Sequence, residues 1–269
     1  MSVLDEAFSQ LRSEERKALL PFITAGDPDL DFTAELLQDF CEAGAFACEI
    51  GVPYSDPIAD GPVIQASYQR ALDGGFRLRQ LFEMRKRIES LITIPTLTMT
   101  SYAIIYRIGL ERYIEQAQEA GFCGAIVPDL LVEEAADFSN LCRQHDFNLI
   151  QLVTPTTPRP RQVRIAESST GFLYFVSVTG ITGERNELPT ELIDNVGWLR
   201  EQTDLPICIG FGISQPEHIH KLAPVADGLI VGSAIVRRIA EAGANNREQV
   251  RQEIKSYVKS MAEACAHVH

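Results

Sequence analysis

Glu49 is the first residue of this chain whose setting invites a chemical reading. It stands in Ala45-Phe46-Ala47-Cys48-Glu49-Ile50-Gly51, a carboxylate near the C-terminal end of an otherwise apolar run. Two readings are open. It is either a structural charge that finds a partner or reaches solvent at a rim, or a general acid/base whose proton affinity an apolar wall raises toward working pH. The loop that follows, Gly51 to Pro62, is rich in turn residues yet carries Asp56, Asp60 and several apolar side chains. Its aspartates cap turns or the next helix, the common fate of a loop Asp, or one of them stands opposite Glu49 and gives two carboxylates with separable roles.

Three glycine-containing turns come later: Thr179-Gly180-Ile181-Thr182-Gly183, Gly210-Phe211-Gly212-Ile213-Ser214 and Val231-Gly232-Ser233-Ala234. Glycine lets backbone N–H groups approach an anion closely, and a helix starting at Ser233 aims its positive end at the same place. Together with the carboxylates these turns point to proton transfer on a phosphorylated small molecule.

Residues so far apart in sequence need a scaffold that gathers them. Eight short apolar, β-prone runs recur, at Leu19 to Thr24, Ala47 to Ile50, Ile94 to Met99, Ala125 to Val127, Asn148 to Val153, Phe172 to Ser177, Pro206 to Ile209 and Gly228 to Val231. Between them lie helical patterns. Phe32, Leu36, Leu37, Phe40 and Cys41 make one apolar stripe, with Asp29 and Asp31 as candidate N-caps and Gly44 as a C-terminal stop. Val132 to His145, Pro189 to Gln202 and Pro216 to Leu222 repeat the theme, and Pro216 suits a first helical turn. Strict alternation demands parallel strands, and continuously apolar strands fit a sheet buried on both faces. The expected fold is an α/β (β/α)8 TIM barrel, a single domain over 1–269. It has an extra N-terminal helix from Val3 to Leu11, a short phosphate-binding helix after the eighth strand and a closing helix from Arg247 to Ala264. Function then belongs to the C-terminal ends of the strands.

Composition removes several other classes. With 24 basic and 37 acidic side chains the net charge is −13, which opposes attraction to nucleic acid or anionic membranes. The charged start, Met1 to Arg16, lacks a signal-peptide core, and no apolar run reaches 18 residues, so a cytoplasmic place is expected. The six cysteines are scattered without a CxxC pair and read as free, mostly buried thiols. No HExxH occurs, His218 and His220 are two apart, and no metal is expected. The absence of GxGxxG after the first strand opposes dinucleotide binding.

From about Phe22 to Val236 the sequence resembles the tryptophan synthase alpha subunit family. Pro21-Phe22-Ile23-Thr24-Ala25-Gly26-Asp27-Pro28 is similar to its opening motif, and the stretch from Glu49 to Gln65 to its signature. Ser177 to Gly183, Gly210 to Ser214 and Gly232 to Val236 match later motifs in order. The resemblance implies retro-aldol cleavage of indole-3-glycerol phosphate to indole and glyceraldehyde 3-phosphate, without metal or organic cofactor. It also implies a pyridoxal-phosphate beta subunit as partner in an alpha2beta2 tetramer. By position, Glu49 is the acid/base, Asp60 accepts the indole N–H and Tyr174 completes the catalytic set. Gly183, Gly212, Gly232 and Ser233 hold phosphate, Phe22, Ile64, Met99 and Phe211 form the indole slot, and Thr182 sits in a closing loop from Val178 to Glu191. The chain departs from the family at Ala103 and Ile104 after the third strand and at Leu131 after the fourth, on the face that docks the partner.

Overall fold

The computed structural model describes residues 2–57, 60–176, 190–210, 212–243 and 246–266. After α1 (Val3–Ser13) come β1 (Ala18–Thr24), α2 (Leu30–Glu42), β2 (Cys48–Gly51), α3 (Pro62–Asp73), α4 (Leu78–Arg87), β3 (Thr96–Met99), α5 (Tyr102–Ile108), α6 (Leu110–Glu119) and β4 (Gly124–Ile126). There follow α7 (Ala136–Gln144), β5 (Asn148–Ile150), β6 (Leu152–Val153), α8 (Arg159–Ser168), β7 (Leu173–Val176), α9 (Thr190–Arg200), β8 (Ile207–Gly210), α10 (Pro216–Leu222), β9 (Gly228–Val231), α11 (Ser233–Ile239) and α12 (Arg247–Ala266).

The described strands form one sheet in the order β5-β4-β3-β2-β1-β9-β8-β7-β6, and every pairing is parallel. The two outermost strands are consecutive in the chain and joined by Gln151 alone, so the sheet closes on itself as a TIM barrel. The fifth expected strand is thus split: β5 bonds to β4 and β6 bonds to β7, and the ladder changes partner at Gln151. The third strand starts at Thr96 rather than Ile94, since Pro95 has no N–H to donate. The helix expected from Val132 begins at Ala136, because Val132 to Glu134 are used in a turn closed by the Glu134 N–H on the Leu131 carbonyl. At α2 the cap is Asp29, whose side chain accepts from Phe32 N, while Asp31 lies inside the first turn.

Side chains alternate between two apolar layers. Leu19, Ile23, Cys48 and Ile50 face outward onto the helices, whereas Leu20, Phe22, Leu97 and Met99 face the barrel interior. Leu4, Phe8 and Leu11 of α1 belong to the interior layer and stopper the N-terminal end of the barrel, with the Phe8 ring 4.5 Å from Phe46 and 5.9 Å from Phe172. The closing helix α12 is strapped to α2 by Arg251 and Lys255 on Asp39. All six cysteines are free, with Cys48, Cys142, Cys208 and Cys265 buried. No described helix is long and apolar enough to cross a membrane.

Candidate active site

Glu49 stands in register with Phe22 of β1 and Leu97 of β3, both interior residues, so its carboxyl points into the barrel. It is 0% exposed, and neither carboxyl oxygen has a hydrogen-bond partner among the described residues. Burial alone pushes its pKa well above the usual carboxylate value. Gly51 makes room next to it. A Cβ there would lie 2.6 Å from the Phe22 ring and 2.8 Å from the Tyr68 hydroxyl, so only glycine lets these two side chains close in.

The two loop aspartates separate. Asp56 is exposed and accepts from the hydroxyl of its neighbour Ser55 at 2.6 Å, a local contact at the surface. Asp60 is held by its backbone: its N–H bonds to Pro57 O at 3.1 Å and its carbonyl accepts from Gln65 Nε2 at 2.8 Å. That leaves the half-buried carboxyl of Asp60 free to face a cavity, where burial raises its pKa to about 6.

This cavity, of about 260 Å³, lies at the C-terminal ends of the strands. Phe22, Ile64, Met99 and Tyr174 give it an apolar wall, and Gly212, Gly232 and Ser233 border it too. Thus Asp60, Tyr174, Gly212, Gly232, Ser233, Phe22, Ile64 and Met99 are brought together as the sequence suggested. Glu49 does not border the cavity surface and stays within the barrel interior. Thr182, Gly183 and Phe211, with the loop from Val178 to Pro189, lie outside the described residues. Gly212 has φ +77°, a conformation suited to glycine. Gly210 lets Tyr174 in, since a Cβ there would stand 2.4 Å from the phenol oxygen. Burial first, then Glu49 and Asp60, push the Tyr174 phenol well above its usual range, so it remains a neutral donor.

A larger cleft, about 420 Å³, opens at the other end of the barrel around Leu11, Arg16, Lys17, Phe46 and Pro95. It lies on the face that in such barrels serves stability, and Lys17 there is engaged with the Ala226 carbonyl. The smaller cavity, bordered by Asp60 and by the glycine turns, is the candidate site.

Sequence reasoning passed over Tyr68, which is buried with its hydroxyl unpartnered, and Arg237, which borders the cavity. Each follows by four residues one that was singled out, Ile64 and Ser233, so helical periodicity was the signal that pointed to both.

A family model described as tryptophan synthase alpha chain matches residues 8–266. The tryptophan synthase alpha chain of Rhodopirellula baltica is 60% identical over 268 residues, covering 98% of this chain and 96% of that one. That of Caldanaerobacter subterraneus subsp. tengcongensis is 41% identical, covering 98% and 99%. The solved tryptophan synthase subunit alpha of Legionella pneumophila superposes with a TM-score of 0.89 at 33% identity, over 100% of both chains. This chain belongs to the tryptophan synthase alpha chain family. Members of that family are lyases that cleave indole-3-glycerol phosphate.

The segments after β3 and β4, which carry Ala103, Ile104 and Leu131, are tied together by hydrogen bonds. Asp129 accepts from Ser101 Oγ at 2.6 Å and from Tyr102 N at 2.8 Å, tying the start of α5 to the β4 loop. Ala103 and Ile104 are the first turn of α5 rather than a loop. The departures sit beside an apolar surface, with Tyr106 and Leu131 exposed and Tyr106 6.1 Å from the Tyr102 ring. No group of three or more His, Cys, Asp or Glu among the described residues is arranged to hold a metal.

Proposed function

We propose that Glu49 and Asp60 divide the retro-aldol cleavage of indole-3-glycerol phosphate between them. The observation that supports this reading is two carboxyls in unequal burial, Glu49 without a hydrogen-bond partner among the described residues and Asp60 bordering the cavity. Glu49, whose burial favours the protonated form, gives its proton to indole C3. Asp60, half-buried with a pKa of about 6, is ionised at neutral pH and accepts the indole N–H, whose partial positive charge grows in the indolenine tautomer. The Glu49 carboxylate then takes the proton of the side-chain hydroxyl as the C3–carbon bond breaks. The bonding electrons return to the ring, the hydroxyl carbon becomes the aldehyde and Glu49 is again protonated. Because Glu49 does not border the cavity, it meets the substrate once the side chains over it give way.

Tyr174 completes the catalytic set as a neutral donor. The indole ring lies against Phe22, Ile64 and Met99, with Phe211, while the phosphate meets backbone N–H groups of Gly183, Gly212 and Gly232 and the Ser233 hydroxyl. Thr182 contacts Asp60 when its loop closes, a role that Thr182→Ala with full turnover would remove. The chain needs no metal or organic cofactor of its own. Its partner is a tryptophan synthase beta subunit carrying pyridoxal phosphate, in a cytoplasmic alpha2beta2 tetramer. A second reading, a stand-alone lyase that releases indole, draws on Ala103, Ile104 and Leu131 at the docking face.

Indole release from indole-3-glycerol phosphate, by the purified chain alone and with titrated beta subunit, tests both. Slow release that rises with the partner supports the two-subunit enzyme, and fast release that ignores it supports the stand-alone lyase. No release in either condition removes the catalytic proposal.

A further inference from the structure

Among the described residues, two charged side chains border the cavity, Asp60 and Arg237. Arg237 stands one helical turn beyond Ser233 on α11, so the two share a face toward the cavity together with Gly212 and Gly232. It is exposed and makes no hydrogen bond or ion pair with any described residue. Its neighbour Arg238 is committed elsewhere: that guanidinium donates to the Ala234 carbonyl at 2.6 Å and lies 3.9 Å from the Tyr257 ring centre. No carboxylate among the described residues therefore pairs with the charge on Arg237.

The charge has a use if the ligand is an anion. With a formal charge of −13 the protein as a whole repels a phosphomonoester dianion. Salt screens that repulsion beyond about 8 Å at physiological ionic strength, so within that range the sign of the nearest free side chain decides. Among the described residues at the rim where the phosphate is expected, the basic side chain that borders the cavity is Arg237. Its planar fork also matches two phosphate oxygens at once, which an ammonium does not. We infer that Arg237 is the phosphate-capture residue of this site, binding the substrate's phosphomonoester from the cavity rim and favouring phosphorylated over uncharged ligands. The inference rests on the proposed phosphate site, and backbone amides at the glycine turns alone would leave it without a side-chain cation.

The test uses the full chain and two variants, Arg237→Gln and Arg237→Lys. First, sn-glycerol 3-phosphate is titrated calorimetrically in low and in physiological salt. The glutamine variant should bind it roughly tenfold more weakly and lose much of the salt dependence, with lysine between the two. Second, in the reverse reaction, KM for glyceraldehyde 3-phosphate should rise by the same factor while KM for indole and kcat stay within about twofold, as for a charge that acts on the anion only. Unchanged phosphate affinity in Arg237→Gln, or equal loss for indole and glyceraldehyde 3-phosphate, overturns the inference and leaves the lyase assignment standing. No binding of glycerol 3-phosphate by the unaltered chain would overturn the phosphate site itself and the role of Arg237 with it.

Discussion

At the seam between α2 and α12, Asp39 is 1% exposed and is met by Arg251 at 2.5 and 3.1 Å and by Lys255 at 3.2 Å. Inside the barrel, ten residues further on, Glu49 is 0% exposed and has no hydrogen-bond partner among the described residues. The same chemical group is thus buried to the same depth under opposite terms. Where a carboxylate holds two helices together, the fold supplies cations from the partner helix. Where it lies in the barrel interior, the fold withholds them, and burial favours the neutral form because ionisation in an apolar setting is costly. On the proposed reading, the buried charge with partners serves architecture and the buried acid without them serves chemistry.

The comparison is breakable. The largest effect is expected for Glu49→Gln, which should lower indole release by about a thousandfold, within the range of general acid–base catalysis, without lowering the unfolding free energy in urea. If that variant unfolds more easily, Glu49 is structural after all. Asp39→Ala should do the reverse. It should destabilise the chain by about 2–3 kcal/mol, less than a fully buried pair because Arg251 and Lys255 are a quarter exposed, and leave indole release within twofold.

Asp60 lies between these cases and is read by pH. Its folded pKa of about 6 exceeds the ordinary carboxylate value, so the folded chain binds more protons than the unfolded one between the two. Stability contributed by protonated Asp60 is therefore full at low pH and is lost as pH rises through about 6. Asp60→Asn should be more stable than the unaltered chain by the order of 2 kcal/mol at about pH 8, with the gain gone near pH 4. A gain that does not depend on pH would mean that Asp60 is not held in a desolvated place. The smallest effect belongs to Tyr68→Phe. Removing an unpartnered buried hydroxyl should raise stability by about 1 kcal/mol in the same urea series. A loss instead would show that the hydroxyl has a partner, for instance an ordered water above Glu49.

The barrel was legible because strands buried on both faces read as apolar runs, and β1, β2, β3, β8 and β9 are buried along their whole length. What one strand bonds to is a tertiary matter, so the change of partner at Gln151 left no local mark. Among the site residues, Glu49 was legible as a carboxylate where its neighbours are apolar. The choice between Asp56 and Asp60 was not, since both sit in one loop of uniform composition and differ only in what the fold sets against them. Family resemblance, not spacing, singled out Tyr174 and Met99, and the structure sets both beside the cavity. Arg237 was hidden because a lone arginine on a short helix has a surface place as its ordinary explanation.

The stopper formed by Leu4, Phe8 and Leu11 of α1 bears on the acid as well as on the core. The proton affinity of Glu49 rests on desolvation, so it depends on keeping water from the barrel axis at both ends. Helix α1 guards the end remote from the substrate. Shortening it would hydrate the interior from below and let Glu49 titrate closer to an ordinary carboxylate, altering the chemistry without touching a residue that borders the cavity. In dielectric terms, the first helix of the chain is part of the acid.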